Sequence, residues 1–242
     1  MHPNRKFHIA GREEMAVLVR EAGFGILVVP AEAGLRAVHV PVLLDGDRLR
    51  FHVSRSNLVY QALVAGTEAL FVANGPHAYI SPDWYGLDDR VATWSYVSVE
   101  LNGPVAPLSE DALVLMLDDM SAEHEQRLLP KTPWTRDKMS PGRFDGLLKA
   151  IAGFELHITD WRGTAKVDQD KPAYVRSRVA TALGKQGEEQ MAALYASPWQ
   201  SHGEGDQALP GGGVTSRSLA TSPLHHRNGG PPPHAPRGEA KE

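Results

Sequence analysis

The chain has 242 residues, and its hydrophobic fraction of 42% is ample for a folded core in one large domain or two small ones. With 25 basic and 29 acidic residues its net charge is −4, so no global positive field would hold it on a nucleic acid. Because the chain contains no cysteine, disulfides, thiolate metal sites and a cysteine nucleophile are excluded.

The first half of the chain is predicted to be rich in strands. Residues 11–22 place apolar side chains at helical spacing between charges, which predicts a short amphipathic helix. Strands are predicted at residues 25–30, 35–44, 48–54, 68–73, 78–81 and 92–105. Asp45-Gly46-Asp47 is typical of a hairpin turn, and Asn57 is a candidate N-cap of a helix that ends near Ala65. Antiparallel strands connected in this way favour a barrel.

The second half is predicted to be mainly helical. Helices are predicted from Ser109 through His124, over residues 144–150 and over residues 172–183, with one long strand at residues 153–161. A strand-dominated half followed by helices indicates an α+β fold, in which a mainly antiparallel barrel carries peripheral helices. We expect residues 1–197 to form this single domain.

The two ends of the chain differ from its middle. Residues 198–242 are rich in glycine, proline and histidine with few large apolar side chains, which predicts a disordered tail. The histidines of this tail lack a regular ligand spacing, so no metal site is expected. Residues 1–12 lack the apolar core of a signal peptide, and no apolar stretch is long enough to span a bilayer; a soluble, cytoplasmic protein is expected.

The run Arg55-Ser56-Asn57 is a candidate anion site. It follows a predicted strand and opens a predicted helix, so a guanidinium, a hydroxyl and helix N-terminal amides would converge. Such groups bind a phosphate monoester well. The alternative is that Asn57 is only an N-cap and Arg55 only a surface charge.

Aromatic and polar side chains of two predicted strands form a candidate pocket wall. His77, Tyr79 and Ser81 alternate with small and apolar residues and so share one face, while Trp94 and Tyr96 share a face of the next strand. This surface suits a flat conjugated ligand, but it is equally compatible with a core or a subunit interface. The motifs of zinc proteases, α/β-hydrolases, P-loop proteins and dinucleotide-binding folds are absent from the sequence.

Several segments together resemble the PaiB family, the FMN-binding negative transcriptional regulators. The matching segments, in chain order, are Pro3 and Phe7, residues 38–44 (VHVPVLL), residues 52–57 (HVSRSN), residues 75–85 (GPHAYISPDWY), residues 93–96 (TWSY), residues 151–155 (IAGFE) and a basic segment near Lys166. The resemblance spans about residues 1–185, and the most specific segment is residues 75–85. It implies a dimeric split β-barrel that holds FMN in a cleft at the subunit boundary.

The resemblance also implies which residues contact FMN. Arg55 and Asn57 match the phosphate side of the family's site, which agrees with the anion site inferred from the residues themselves. The residues expected near the cofactor are His39, His52, Arg55, Ser56, Asn57, Tyr79, Ser81, Trp94, Tyr96, Lys166 and Gln169. No catalytic residue is assigned.

The chain departs from the family pattern at two places. Ser95 stands where the family usually has asparagine, and Asp168-Gln169-Asp170-Lys171 replaces a Ser-Gln-Asn-Arg run. The aspartates are expected to put negative charge where an anionic cofactor or substrate approaches. This predicts weaker or altered flavin binding, or a different substrate.

Three functions are compatible with these features. The first is an FMN-dependent redox protein acting on an unknown small molecule. The second is a flavin-sensing negative transcriptional regulator that binds DNA or a protein, although neither charge nor a DNA-binding motif supports DNA as a partner. The third is a non-catalytic dimeric homologue that has lost FMN.

Overall fold

The computed structural model describes residues 2–197. The strands are β1 (His8–Ile9), β2 (Phe24–Ala31), β3 (Gly34–Asp45), β4 (Arg48–Ser54), β5 (Thr67–Ile80), β6 (Thr93–Pro107), β7 (Ile151–His157) and β8 (Asp160–Lys166). The helices are α1 (Arg12–Ala22), α2 (Tyr60–Val64), α3 (Glu110–Gln126), α4 (Arg143–Leu148), α5 (Ala173–Lys185) and α6 (Glu189–Ala196), with short 3₁₀ helices at Arg5–Phe7, Pro82–Tyr85 and Arg136–Lys138. The tail predicted for residues 198–242 lies outside the described residues.

One antiparallel sheet organises the fold. Its strand order is β1-β8-β6-β5-β2-β3-β4-β7, and β7 also pairs with the end of β6. Phe154 of β7 lies opposite Phe51 of β4, and Leu156 lies opposite Val105 of β6. This second pairing closes six strands into a ring, while β8 and β1 extend the sheet beyond it. The fold is therefore the α+β split β-barrel that was expected.

The barrel interior is filled by every second side chain of its strands. Leu27, Val29, Phe51, Phe71 and Phe154 are completely buried there, as the period of two along a strand requires. Helix α3 covers the outer face of β3 and β7 through a separate cluster formed by Leu43, Leu113, Met116, Met120 and Leu148. Helices α5 and α6 pack against the main core through Val175, Val179, Leu183, Met191 and Tyr195.

The chain turns sharply between β7 and β8, where one continuous strand was predicted. Ile158 N donates to Asp47 O, and Thr159 N donates to Asn102 O, both at 2.8 Å, so this connection is held by two other segments. Gly103 permits the close approach, because a Cβ at this position would lie 1.8 Å from the carbonyl oxygen of His157. The prediction of a single strand over residues 153–161 was wrong because these contacts are tertiary.

Other predicted boundaries also change. The two short strands expected before and after residue 75 are one strand, β5, with a register shift between Asn74 and His77. The helix expected from Asn57 begins only at Tyr60 and is five residues long, and helix α6 was not predicted. Helices α1, α3, α4 and α5 confirm the predicted ones, and Ser109 caps α3 by accepting from Ala112 N at 3.2 Å. Within residues 2–197, none of the helices is long and apolar enough to cross a membrane.

Candidate cofactor site

The arginine turn, residues 54–57, follows β4. The Arg55 backbone is fixed by donation of its N–H to Ala150 O at 2.9 Å. The Arg55 Nη1 donates to Tyr60 Oη at 2.7 Å, and its guanidinium lies 5.7 Å from the centre of the Tyr60 ring. Among residues 2–197, no carboxylate forms an ion pair with Arg55. Tyr60 thus fixes the orientation of the Arg55 guanidinium, which keeps further N–H donors available for an anion.

The amides of this turn are largely used within the turn itself. The N–H of Ser56 donates to Ser54 Oγ at 3.3 Å, and the N–H of Asn57 donates to Ser54 O at 3.0 Å. Asn57 Oδ1 accepts from Val59 N at 3.2 Å, so Asn57 stabilises a tight turn before α2 instead of capping the helix directly. The expected convergence of helix N-terminal amides at this point was wrong. The available groups are the Arg55 guanidinium and the paired hydroxyls of Ser54 and Ser56, 2.8 Å apart.

A cavity of about 220 Å³ opens beside the arginine turn. Its lining is mostly apolar, and Arg55, Tyr60 and Glu110 supply the polar groups. The lining residues are Arg55, Tyr60, Val64, Pro107, Leu108, Glu110, Leu113, Leu148, Ala152, Gly153 and Phe154. Arg55 and Pro107 both line this cavity, and Pro107 is the last residue of β6. The arginine turn therefore lies close to the C-terminal end of β6.

The aromatic wall, formed by His77, Tyr79, Trp94 and Tyr96, lies at the opposite end of β6. His77 pairs with Tyr96 and Tyr79 pairs with Trp94 across the β5–β6 ladder, so all four side chains point to one face. The Trp94 ring centroid is 5.9 Å from that of His77 and 6.3 Å from that of Tyr79. Tyr79 is 49% exposed and Trp94 is 52% exposed, which leaves a large aromatic surface open for stacking. Ser81 is partly buried just beyond the wall.

Lys166 and Gln169 lie at the end of β8, next to the aromatic wall. Lys166 is paired with Tyr96 and donates to Trp94 O at 2.8 Å and to Thr93 Oγ1, so its ammonium group is held against the edge of the wall. Gln169 donates to Ala165 O at 2.7 Å and to Lys6 O at 3.1 Å, and it accepts from Val167 N at 3.1 Å. Both amide hydrogens of Gln169 are therefore used inside the fold.

Asp168 and Asp170 do not direct free negative charge at this surface. Asp168 is buried, and its Oδ2 accepts from Tyr85 Oη at 2.6 Å and from Tyr195 Oη at 2.9 Å. Asp170 forms ion pairs with Lys6 at 2.6 Å and with Lys171 at 3.2 Å. Partial burial by itself would raise the pKa of Asp170, but these two lysines outweigh it and lower the pKa. The expectation that these two aspartates put negative charge in the path of an anionic ligand was therefore wrong, because both carboxylates are bonded within the fold.

The two histidines predicted near the cofactor have different surroundings. His39 is exposed on β3, and its ring stacks on Phe24 at 6.2 Å between centroids. His52 is partly buried on β4; burial lowers its pKa, which favours the neutral imidazole. The Nδ1 of His52 has no hydrogen-bond partner among the described residues.

One copy of the chain does not bring all predicted site residues together. The arginine turn is close to Pro107, whereas the aromatic wall includes Trp94, near the other end of β6. These two positions are separated by roughly 40 Å of extended strand. Sequence reasoning also missed Tyr85 and Tyr195 as partners of Asp168, and Ser95 as the partner of Tyr195. The alternation that puts Trp94 and Tyr96 outward puts Ser95 inward, and a buried hydroxyl needs a partner.

Comparisons with known proteins agree on the family. Residues 1–160 match the family described as "Putative FMN-binding domain". The chain is 29% identical over 175 residues to the Protease synthase and sporulation protein PAI 2 of Bacillus subtilis (strain 168), a match that covers 71% of this chain and 83% of that protein.

A solved structure with a TM-score above 0.5 has the same fold at low identity. A conserved hypothetical protein from Mycobacterium tuberculosis superposes with a TM-score of 0.51 at 11% identity, over 71% of this chain and 94% of that one. The FAD and heme binding protein from Mycobacterium smegmatis gives a TM-score of 0.49 at 18% identity, over 66% and 73% of the two chains. The chain thus belongs to the PaiB-type family of FMN-binding domains, and FMN is its cofactor.

Proposed function

We propose that this protein is an FMN-dependent redox protein that acts on a small molecule and holds its flavin between two copies of the chain. The observation that carries this proposal is the separation of the arginine turn from the aromatic wall along β6. A two-fold symmetric dimer presents the same surface from both copies, so the arginine turn of one copy can lie beside the aromatic wall of the other. Each dimer would then contain two equivalent sites.

The side chains of the two groups suit the two ends of FMN. Arg55 has no carboxylate partner among residues 2–197, and a guanidinium with free donors binds phosphate through charge-assisted hydrogen bonds. Tyr79 and Trp94 offer half-exposed rings on which a flat tricyclic ring can stack. Lys166 supplies a fixed cation at the edge of the same wall, where it would favour negative charge on the ring.

The roles of the protein follow from this arrangement. FMN would supply the electron transfer when bound. Arg55 would hold the phosphate of FMN, and the aromatic wall would orient its ring. The Lys166 ammonium cannot swing away without breaking its bonds to Trp94 O and Thr93, which keeps its charge at a constant position.

The proposal is tested by complementation between two defective variants. Arg55→Ala and Trp94→Ala are each expected to bind FMN poorly. When the two are unfolded and refolded together, about half of the dimers become mixed, and each mixed dimer contains one intact site and one doubly defective site. About a quarter of the sites should then recover flavin absorbance in the visible range. Failure to recover any binding, with dimers confirmed by sedimentation, would refute a site shared between copies.

A flavin-sensing negative regulator is the second candidate function. It is favoured by the name of the Bacillus subtilis relative, a protein of protease synthesis and sporulation. The net charge of −4 makes a protein partner more compatible than DNA. Binding of DNA fragments measured at several salt concentrations distinguishes a DNA-binding regulator from one that binds a protein, since phosphate contacts produce a steep loss of affinity with salt. Substrate-dependent bleaching of bound flavin would instead favour the redox function.

A further inference from the structure

Behind the aromatic wall lies a buried chain of hydrogen bonds, the brace, formed by Tyr85, Ser95, Asp168 and Tyr195. Tyr85 donates to Asp168 Oδ2 at 2.6 Å, and Tyr195 donates to the same oxygen at 2.9 Å. The Tyr195 hydroxyl is 2.7 Å from Ser95 Oγ. Because the single proton of the Tyr195 hydroxyl is donated to the carboxylate, Ser95 must be the donor to Tyr195. Two branches of donors, one from Tyr85 and one from Ser95 through Tyr195, therefore converge on Asp168.

The brace joins four separate segments that carry or flank the candidate flavin-binding side chains. Ser95 lies between Trp94 and Tyr96 on β6, with its side chain on the buried face. Asp168 follows Lys166 by two residues at the end of β8. Tyr85 ends the 3₁₀ helix that follows β5, and Tyr195 belongs to α6.

The backbone at Asp168 is adapted to this arrangement. Its φ of 53° lies in the left-handed region, which aspartate enters more readily than most residues but still at a cost. Such a conformation persists only when its surroundings fix it, and here the carboxylate is held by two buried tyrosines. The turn is closed by donation from Lys171 N to Asp168 O at 2.9 Å.

The helical hairpin α5–α6 delivers Tyr195 to this point with little freedom. Val175, Val179 and Leu183 of α5 are completely buried in the main core, and Met191 of α6 is nearly so. Arg176 donates to Tyr195 O at 3.0 Å, which ties the end of α6 to α5. The hairpin is therefore firmly docked on the back of the β5–β6–β8 sheet.

We propose that Asp168 and Tyr195 are positioning residues of the flavin site, through which the C-terminal hairpin fixes the strand ends bearing Trp94, Tyr96 and Lys166. The inference rests on the proposed function for the role of that surface, while the brace itself does not depend on flavin. Both residues lie beyond residue 160, where the matched family model ends. The support for the aromatic wall thus comes from a part of the chain outside the matched family domain.

The proposal is tested with Tyr195→Phe and Asp168→Asn, each of which keeps the shape of the side chain while weakening the brace. Tyr174→Phe is the matched control, since Tyr174 lies on the same hairpin but is 61% exposed. Hydrogen exchange of the flavin-free protein is measured by mass spectrometry in peptides covering residues 93–97 and 165–169. Roughly five- to tenfold faster exchange is expected there in both variants, with the other barrel strands unchanged.

FMN affinity is measured on the same proteins by quenching of flavin fluorescence. Both brace variants should bind FMN roughly five- to tenfold more weakly than the parent, and the Tyr174 variant should match the parent. Unchanged local exchange in both variants, or faster exchange spread evenly over the barrel, would overturn the positioning role. Faster local exchange in both variants, combined with a parent protein that does not bind FMN, would support the brace and refute the proposed function instead.

Discussion

Replacement of Arg55 by alanine tests the phosphate end of the flavin site most directly. The guanidinium is exposed and bonded only to Tyr60 among the described residues, so its loss should change the free energy of unfolding very little. A charge-assisted contact to phosphate contributes about 1.5–3 kcal/mol, which corresponds to roughly 10- to 150-fold weaker FMN binding. The FMN affinity of Arg55→Lys should lie between those of the parent protein and Arg55→Ala, because lysine keeps the charge but lacks the planar guanidinium that also contacts Tyr60.

The assay is a fluorescence titration with FMN and, in parallel, with riboflavin, which lacks the phosphate. Arg55→Ala should weaken FMN binding while leaving riboflavin binding nearly unchanged, and the loss should shrink as salt is raised. Arg36→Ala is the control, since Arg36 is an arginine on β3 whose side chain, among residues 2–197, donates only to the neighbouring Leu35 O. Equal losses for FMN and riboflavin would refute the phosphate role, and so would unchanged affinity for FMN.

Two further predictions concern stability. Gly103→Ala should destabilise the protein by about 3 kcal/mol or more, since its Cβ would meet the backbone of His157 at 1.8 Å. Gly146→Ala, inside helix α4 with open space around it, should cause no loss of stability in the same urea titration and a gain of up to about 1 kcal/mol. Burial and the neighbouring Asp168 raise the pKa values of Tyr85 and Tyr195 above the ordinary value of 10.0. As the pH rises, the unfolded chain therefore loses these two protons before the folded chain does. The stability that each tyrosine contributes is constant below pH 10 and falls above it by about 1.4 kcal/mol per pH unit. Urea midpoints from pH 9 to 11 should show a shallower fall in Tyr195→Phe, and an identical slope would contradict the assignment.

The corrected position of Asp168 changes what the departures from the family pattern mean. A carboxylate that replaces a serine on an open surface would repel an anionic cofactor. In this fold the Asp168 carboxylate points inward and accepts hydrogen bonds from two tyrosine hydroxyls. The charge of Asp170 is balanced by its ion pairs with Lys6 and Lys171. The two aspartates therefore give no electrostatic reason for this chain to bind FMN more weakly than its relatives.

The sequence by itself determined the local elements and the identity of the family. The alternation around Tyr79 and Trp94 predicted an outward aromatic face because side chains of a strand alternate with a period of two, and the ladder confirms it. The first three predicted strands and helices α1 and α3 are confirmed, and they too were predicted from residue patterns. The segment of residues 75–85 was specific enough to indicate FMN before any contact was known.

Only the tertiary structure decided which of these pieces meet. The turn at residues 158–159 is held by hydrogen bonds to Asp47 and Asn102, which are distant in the sequence. A local sequence pattern could therefore not predict it. Asn57 stabilises its own tight turn instead of α2, because its side chain bonds to Val59 N. The inward aim of Asp168 depends on Tyr195 of a helix that was not predicted. Hydrophobic periodicity encodes the face of an element, whereas the partner of a buried polar group is set by packing between distant segments.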